Sequence, residues 1–325
     1  MTDHPVQLEN ITKRYGAFTA VKDLTFSVAK GEIYGFLGPN GAGKTTTLRM
    51  MLDIVRPSEG RICVLGSNSA ISVRRRIGYL PEERGLYRKM KAAQSIAYFA
   101  QLRGLSGRDA KKKAYALLEE FGLEDFARSK NEALSKGMAQ KVQLLATIAH
   151  EPELLILDEP FSGLDPINQQ TLEKLIADQR ASGRTIIFST HVMQHAERLC
   201  DRFLIIAEGE KRFEGTLSEA RARYGQRLHV RSTAPAAAFE VLPGVEAVRL
   251  ERNGGEESDY RIELADGADP QDFLRQAVAA GIVLTRFEQA GATLHDIFVD
   301  LAGDEASAPA HDQERAFARG AEAAE

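Results

Sequence analysis

Long apolar runs are missing from this 325-residue chain, and none approaches the roughly 20 residues needed to cross a bilayer. Cysteine is nearly absent. The only two, Cys63 and Cys200, form neither a metal-ligand spacing nor a disulfide framework, a pattern that suits a reducing compartment. Charge of one sign is not in excess: 42 Lys and Arg against 46 Asp and Glu leave a net charge of −4. That balance gives no argument for a nucleic-acid partner or for an anionic membrane surface. Residues Met1 to Asn10 lack the basic-then-apolar order of a signal peptide. These absences predict a soluble protein whose membrane role, if it has one, comes through a partner. The length suffices for two domains, and an apolar fraction of 43% is ordinary enough to build a sizeable core.

The most informative stretch is Gly38-Pro39-Asn40-Gly41-Ala42-Gly43-Lys44-Thr45-Thr46, which fits the phosphate-binding pattern G-x-x-x-x-G-K-[ST]. The apolar run Ile33 to Leu37 before it reads as a buried strand, and Thr46 to Asp53 after it as a helix ending before Pro57. A triphosphate carries dense negative charge. Backbone N–H groups cradle it only where the chain comes very close, which explains the glycines. The helix N-terminus turns its positive end to the phosphates. Lys44 can reach the β- and γ-phosphates, and the Thr45 hydroxyl can ligate Mg²⁺. A glycine-rich turn holding a chance Lys is the bland reading. The four fixed positions arise by chance in about 1 in 100 chains of this length, and the strand and helix on either side favour nucleotide binding.

Other segments support an α/β chain. Gln7 to Thr12 and Leu24 to Val28 read as strands, with Lys13-Arg14-Tyr15-Gly16 as a turn whose Tyr15 is able to stack on a base. Arg61 to Leu65 and Ile77 to Leu80 read as further strands. Arg74-Arg75-Arg76 reads as a solvated helix face, and Pro81 to Gly85 as a polar turn. From Ala92 to His150 the spacing is helical, and Ser135 is placed to cap its last helix.

Leu154-Leu155-Ile156-Leu157 is a continuous apolar run, the pattern of a central parallel strand, and it ends in Asp158-Glu159-Pro160. Two acids at that end sit where α/β sheets hold ligands. Asp158 is expected to hold Mg²⁺, and Glu159 to orient and deprotonate an attacking water. The strand Thr185 to Phe188 leads into Ser189-Thr190-His191, where His191 can hydrogen-bond a terminal phosphate; His195 is given a structural role. Phe203 to Ala207 and Lys211 to Glu214 form a hairpin, and the nucleotide domain is expected to span residues 1–222, with its helical insertion at about 88–150. Residues 226–302 then read βαββαβ, a ferredoxin-like α+β order, followed by an amphipathic helix Leu294 to Leu301. Disorder is expected for the Ala/Glu-rich tail 303–325.

Taken in order, these pieces resemble the ATP-binding cassette (ABC) ATPases, a P-loop NTPase family. Besides the phosphate loop, Leu134-Ser135-Lys136-Gly137-Met138 is similar to the LSGGQ stretch of the family, and Asp158-Glu159, Ser162-Gly163-Leu164-Asp165 and His191 follow in family order. The resemblance covers about residues 6 to 222. It implies that Tyr15 stacks on adenine, that Gly38 to Thr46 holds the phosphates and Mg²⁺, and that Ser135 and Gly137 contact the γ-phosphate of ATP held by a second cassette. It further implies that Glu159 is the catalytic base beside Lys44 and His191, and that Asp165 pairs across the dimer. Glu82 stands where the family has a Gln that contacts Mg²⁺, so this chain adds a carboxylate there. Lys136 and Met138 replace Gly and Gln. The stretch Tyr79 to Tyr87 is similar to the ATPases of bacterial sodium- and drug-efflux transporters. Since one chain has one loop and one Ser135 motif, the resemblance implies a dimer of cassettes. It also implies a separate membrane permease, and a place on the cytoplasmic face of the cell membrane. A soluble ABC protein without a permease is the alternative, although neither a long coiled-coil insertion nor a second cassette is visible. A P-loop GTPase or kinase is the third reading, and no N-K-x-D guanine-reading motif stands where a GTPase would need it.

Overall fold

The computed structural model describes residues 3–83, 85–223, 226–265, 267–291 and 293–302. The tail expected to be disordered lies outside the described residues. The chain divides into two compact units, with the second running from Gly215 to Asp300; each is described by itself.

The first unit opens with an antiparallel hairpin, β1 (Val6–Tyr15) and β2 (Phe18–Val28), followed by β3 (Ile33–Leu37), α1 (Lys44–Met51) and β4 (Glu59–Val64). Strand β4 pairs with β1, giving a three-stranded sheet in the order β2-β1-β4. Lys13, Arg14 and Tyr15 belong to β1, so the turn expected over Lys13–Gly16 is a tighter one at Gly16-Ala17, where Gly16 adopts φ +56°. The helix after the phosphate loop begins at Lys44, two residues earlier than its sequence pattern suggests. The left-handed backbone of Gly43, φ 99°, lets the loop turn straight into it.

Strand β5 (Ile77–Leu80) comes next, then three helices in succession: α2 (Ala92–Leu102), α3 (Gly107–Glu120) and α4 (Lys136–Ile148). Arg74–Arg76 forms a short 3-10 turn rather than a helix face, and Arg76 pairs with Glu153 at 2.6 Å. Side chains start the helices. Ser106 accepts from Asp109 N to cap α3, and Ser135 accepts from Met138 N to cap α4, each worth about 1 kcal/mol. The rest of the unit comprises β6 (Leu154–Leu157), α5 (Pro166–Ala181), β7 (Thr185–Thr190), α6 (Met193–Leu199), β8 (Arg202–Ala207) and β9 (Glu210–Gly215).

The main sheet has the order β5-β6-β7-β3-β8-β9, and its first five strands run parallel. Alternate residues of its strands enter two different cores. Leu155, Leu157, Ile186 and Phe188 join the core made with α2–α5, while Leu154, Ile156, Ile187, Tyr34 and Phe36 join the one made with the three-stranded sheet. Burial on both faces is why β6 is apolar throughout and β7 apolar from Ile186 to Phe188. It also pins their register, because a slip by one residue would exchange the two faces. Parallel strands in register bring their C-terminal ends to one edge: Leu80 lies beside Leu157, Leu157 beside Phe188, and Leu37 beside Thr190.

The second unit starts with α7 (Leu217–Ala222) and continues β10 (Gln226–Ser232), α8 (Ala237–Glu240), β11 (Val245–Asn253), β12 (Ser258–Leu264), α9 (Pro270–Ala279), β13 (Leu284–Gly291) and α10 (Leu294–Ala302). Its sheet order is β11-β12-β10-β13, all antiparallel, which is the ferredoxin-like arrangement expected from the element order. Leu228, Val230, Tyr260, Ile262 and Leu264 face a core closed by Phe239 and Phe273. Alternate residues of the same strands carry ion pairs such as Arg231–Asp259 at 2.7 Å.

Candidate functional site

The loops that leave β3, β5, β6 and β7 share the C-terminal edge of the main sheet, so Gly38–Thr46, Glu82, Asp158-Glu159 and His191 come from adjacent strand ends. In the phosphate loop Gly38 and Ala42 are buried, Pro39 is half-buried, and Asn40 and Gly41 are exposed. Two glycines are required by space. A Cβ at Gly38 would run into the Ile206 carbonyl, and one at Gly43 would stand 2.5 Å from the Ala20 carbonyl. Thr46 lies in the first turn of α1, half-buried.

Lys44 is 6% exposed and folds back over its own loop, with Nζ donating to Gly38 O at 2.7 Å and Pro39 O at 3.1 Å. The same ammonium lies 3.5 Å from Glu159 Oε1. Burial lowers its pKa from the ordinary lysine value, against the pull of Glu159, Asp158 and Glu82. An ammonium held out of water against carbonyl groups stands ready for phosphate oxygens.

Asp158 is 1% exposed, and one hydroxyl organises it. Ser189 Oγ donates to Asp158 Oδ1 at 2.6 Å and accepts from Glu159 N at 2.9 Å, so a buried serine on β7 bridges the two acidic residues at the end of β6. Thr45 Oγ1 donates to the same Asp158 oxygen at 3.3 Å, while Asp158 Oδ2 is buried without a hydrogen-bond partner. Burial raises the Asp158 pKa despite the hydrogen bonds from Ser189 and Thr45.

Glu159 has left-handed backbone, φ 45°, a conformation that costs a non-glycine residue roughly 1–3 kcal/mol and persists only where the surroundings fix it. It is 7% exposed. Its Oε1 is in ion-pair range of Lys44 and lies 3.0 Å from His191 Nδ1, yet accepts no aligned hydrogen bond. Contact with Glu159 raises the His191 pKa above the ordinary imidazole value, opposed by partial burial. Glu82 is exposed. Loss of surrounding water, then the charges of Asp158 and Glu159, raise its pKa.

This donor set bears on Mg²⁺. Among the described residues no cluster of three His, Cys, Asp or Glu forms a ready-made metal cage. Mg²⁺ commonly takes one or two protein carboxylates and completes its shell with phosphate oxygens and waters. The orphaned Asp158 Oδ2, with the Thr45 hydroxyl on the other oxygen, fits that mode of binding.

The remaining sequence candidates lie apart from these contacts. Tyr15 is 48% exposed at the end of β1, and Lys13 Nζ lies over its ring at 4.8 Å. Ser135 and Gly137 lie at the start of α4, and no hydrogen bond among the described residues joins them to Lys44–Thr46. Asp165 caps α5, accepting from Asn168 N at 2.9 Å and Asn168 Nδ2 at 2.6 Å; the backbone contact is the first cause of its lowered pKa. Thus the phosphate loop, both acids and His191 converge, whereas the Ser135 motif stands with Asp165 and Asn168. His195 is buried, stacked on Phe161 at 3.9 Å and 2.9 Å from Glu173 Oε1, the structural place expected for it. Ser189 escaped the sequence reading. Its one signal was a polar residue two before His191 at the end of an apolar strand.

Residues 21–162 match the ABC transporter family model, and residues 215–302 match the C-terminal domain of DrrA1-3-like ATP-binding proteins. The ABC transporter ATP-binding protein YhaQ of Bacillus subtilis is 36% identical over 91% of this chain and 98% of its own length. The linearmycin resistance ATP-binding protein LnrL of the same organism is 39% identical over 68% of this chain and 72% of LnrL. A solved ATP-binding subunit of an ABC transporter superposes with a TM-score of 0.63 at 35% identity, over 67% of this chain and 92% of that one.

Proposed function

Because the chain belongs to the ABC transporter ATP-binding family, whose members hydrolyse ATP to drive transport, we propose that it is the ATPase subunit of an efflux transporter, working as a dimer on a separate membrane permease. The observation that carries the reading is the meeting of buried Lys44 and Glu159 with half-exposed His191 around one carboxylate oxygen. It supplies a cation for the phosphates, a base, and a second proton-bearing group in one place.

In this reading Lys44 gives up its contacts with Gly38 O and Pro39 O to meet the β- and γ-phosphates. Glu159 then orients the attacking water and takes its proton, a role supported by its water-poor position beside Lys44 and His191. His191 holds the γ-phosphate and fixes the Glu159 carboxylate. Thr45, Asp158 and Glu82 would hold Mg²⁺, which when bound neutralises charge developing on the phosphates. Tyr15 stacks on adenine. Ser135, Gly137 and Asp165 face a second copy, so closure of two chains around ATP assembles the site, and hydrolysis releases it. With no helix among the described residues long and apolar enough to cross a membrane, attachment to the inner face of the cell membrane would come through the permease. Export is favoured by the likeness to a resistance ATPase.

The test is affinity purification of the Glu159→Gln variant from detergent-solubilised native membranes with Mg·ATP, followed by identification of the chains that come with it. A polytopic membrane protein in stoichiometric amount is expected. A purely soluble assembly would overturn the transporter reading.

A further inference from the structure

Helix α4 buries a row of polar side chains, Gln140, Gln143 and Thr147, along one face. Buried polar groups need partners, and each of these reaches main chain on another segment. Gln140 Nε2 donates to Pro160 O at 3.3 Å, and Gln143 Nε2 donates to Glu83 O at 3.3 Å. Thr147 Oγ1 lies 2.9 Å from Gln143 O and 3.4 Å from Tyr79 O. The first two carbonyls belong to the residues directly after Glu159 and Glu82. Among the described residues neither carbonyl has another hydrogen bond.

The start of the same helix is fastened as well. Any Cβ at Gly137 would stand 2.7 Å from Asn168 Nδ2, and Asn168 holds Asp165. The Lys136 side chain lies across Gly163. One rigid rod therefore begins at Ser135, abuts the loop Ser162–Asp165, and further along grips the backbone beside two acids of the nucleotide site. Glu159 is the residue with left-handed backbone, so a tether on the next carbonyl bears on how its side chain is aimed.

We propose that Gln140 and Gln143 are positioning residues through which α4 sets the backbone that aims Glu159 and Glu82, coupling nucleotide engaged at Ser135 to the acids of the chain's own site. This rests on the dimeric reading above. Both glutamines act through backbone and touch no substrate atom.

The test uses the full chain with Gln140→Met and Gln143→Met, which keep side-chain length and remove the donor. ATP hydrolysis is followed across ATP concentration, alongside binding of a fluorescent ATP analogue. Each variant is expected to lose roughly tenfold in kcat, while KM and analogue affinity stay within about twofold, since a carbonyl left unpaired shifts the acidic loops and not the phosphate loop. The Hill coefficient for ATP falls towards unity. A native kcat, or a loss of kcat matched by an equal loss of analogue affinity, would overturn the proposal. Should a Met variant fail to fold, Gln140→Glu keeps the shape and cannot donate while ionised; the same split between kcat and KM is expected of it, and native kinetics would overturn the proposal. A wild-type chain that neither hydrolyses ATP nor dimerises would remove the functional reading itself. A wild-type chain that does both, beside variants with native kinetics, removes only the coupling.

Discussion

Replacing Ser189 by Ala removes a single oxygen atom and leaves packing volume almost unchanged, so the response isolates the hydroxyl. Ser189 is fully buried, donates to Asp158 Oδ1 at 2.6 Å and accepts from Glu159 N at 2.9 Å. Losing a hydrogen bond to an ionised carboxylate costs roughly 1.5–3 kcal/mol, and orphaning a buried N–H costs roughly 1–3 kcal/mol. The two losses share one site and do not simply add, so about 3 kcal/mol is expected. At roughly 2–4 °C per kcal/mol for a unit of this size, the melting midpoint of the nucleotide-free protein should fall by about 6–12 °C. The effect should also depend on pH. Burial already holds the Asp158 pKa above its ordinary value, with Ser189 the first group opposing that rise. A carboxyl whose folded pKa is raised costs stability progressively as pH climbs from the ordinary Asp range through the folded value. Removing Ser189 enlarges the rise, so the midpoint difference between variant and native protein should be greater near pH 8 than near pH 4. Differential scanning calorimetry at both pH values measures this, with ATPase rates alongside. A variant that melts within about 1 °C of the native protein and hydrolyses ATP at the native rate would refute the bridging role.

Three further outcomes are expected. Gly43→Ala should abolish nucleotide binding in a fluorescent-analogue titration, because the new Cβ meets the Ala20 carbonyl and φ 99° is strained for alanine. Tyr15→Ala should weaken ATP binding by roughly 3- to 10-fold with kcat unchanged, the value of one stacked ring; unchanged affinity would remove Tyr15 from the site. Since Asp158 and Glu82 both have raised pKa values, protons compete with a cation there. Mg²⁺ with an ATP analogue should therefore raise the melting midpoint more as pH climbs out of the carboxylate range, and an equal shift at all pH values would count against these ligands.

Local pattern made part of the site readable from sequence. The phosphate loop is contiguous, and Asp158-Glu159 follows an apolar run whose burial on both faces the structure accounts for. Ser189, Gln140 and Gln143 carry no such pattern. Their partners lie 31, 20 and 60 residues away along the chain, and only the parallel register and the packing of α4 bring them together. The strand near Tyr15 is not legible because β1 and β2 run on past their apolar residues, with half-buried Lys13 and exposed Arg14 and Tyr15 held by pairing to β2. The ferredoxin-like unit was legible because its strands alternate inward Leu228 and Val230 with outward charge. What the two carboxylates and Lys44 do to one another had no sequence signature, since it depends on a shared burial.

The central claim is that ATP joins two copies of this chain, and light scattering on a size-exclusion column tests it most directly. The Glu159→Gln variant, with Mg·ATP, should elute at twice the 35.7 kDa of one chain, and should return to the single-chain mass with ADP or without nucleotide. A variant that binds ATP and keeps the single-chain mass would contradict the account.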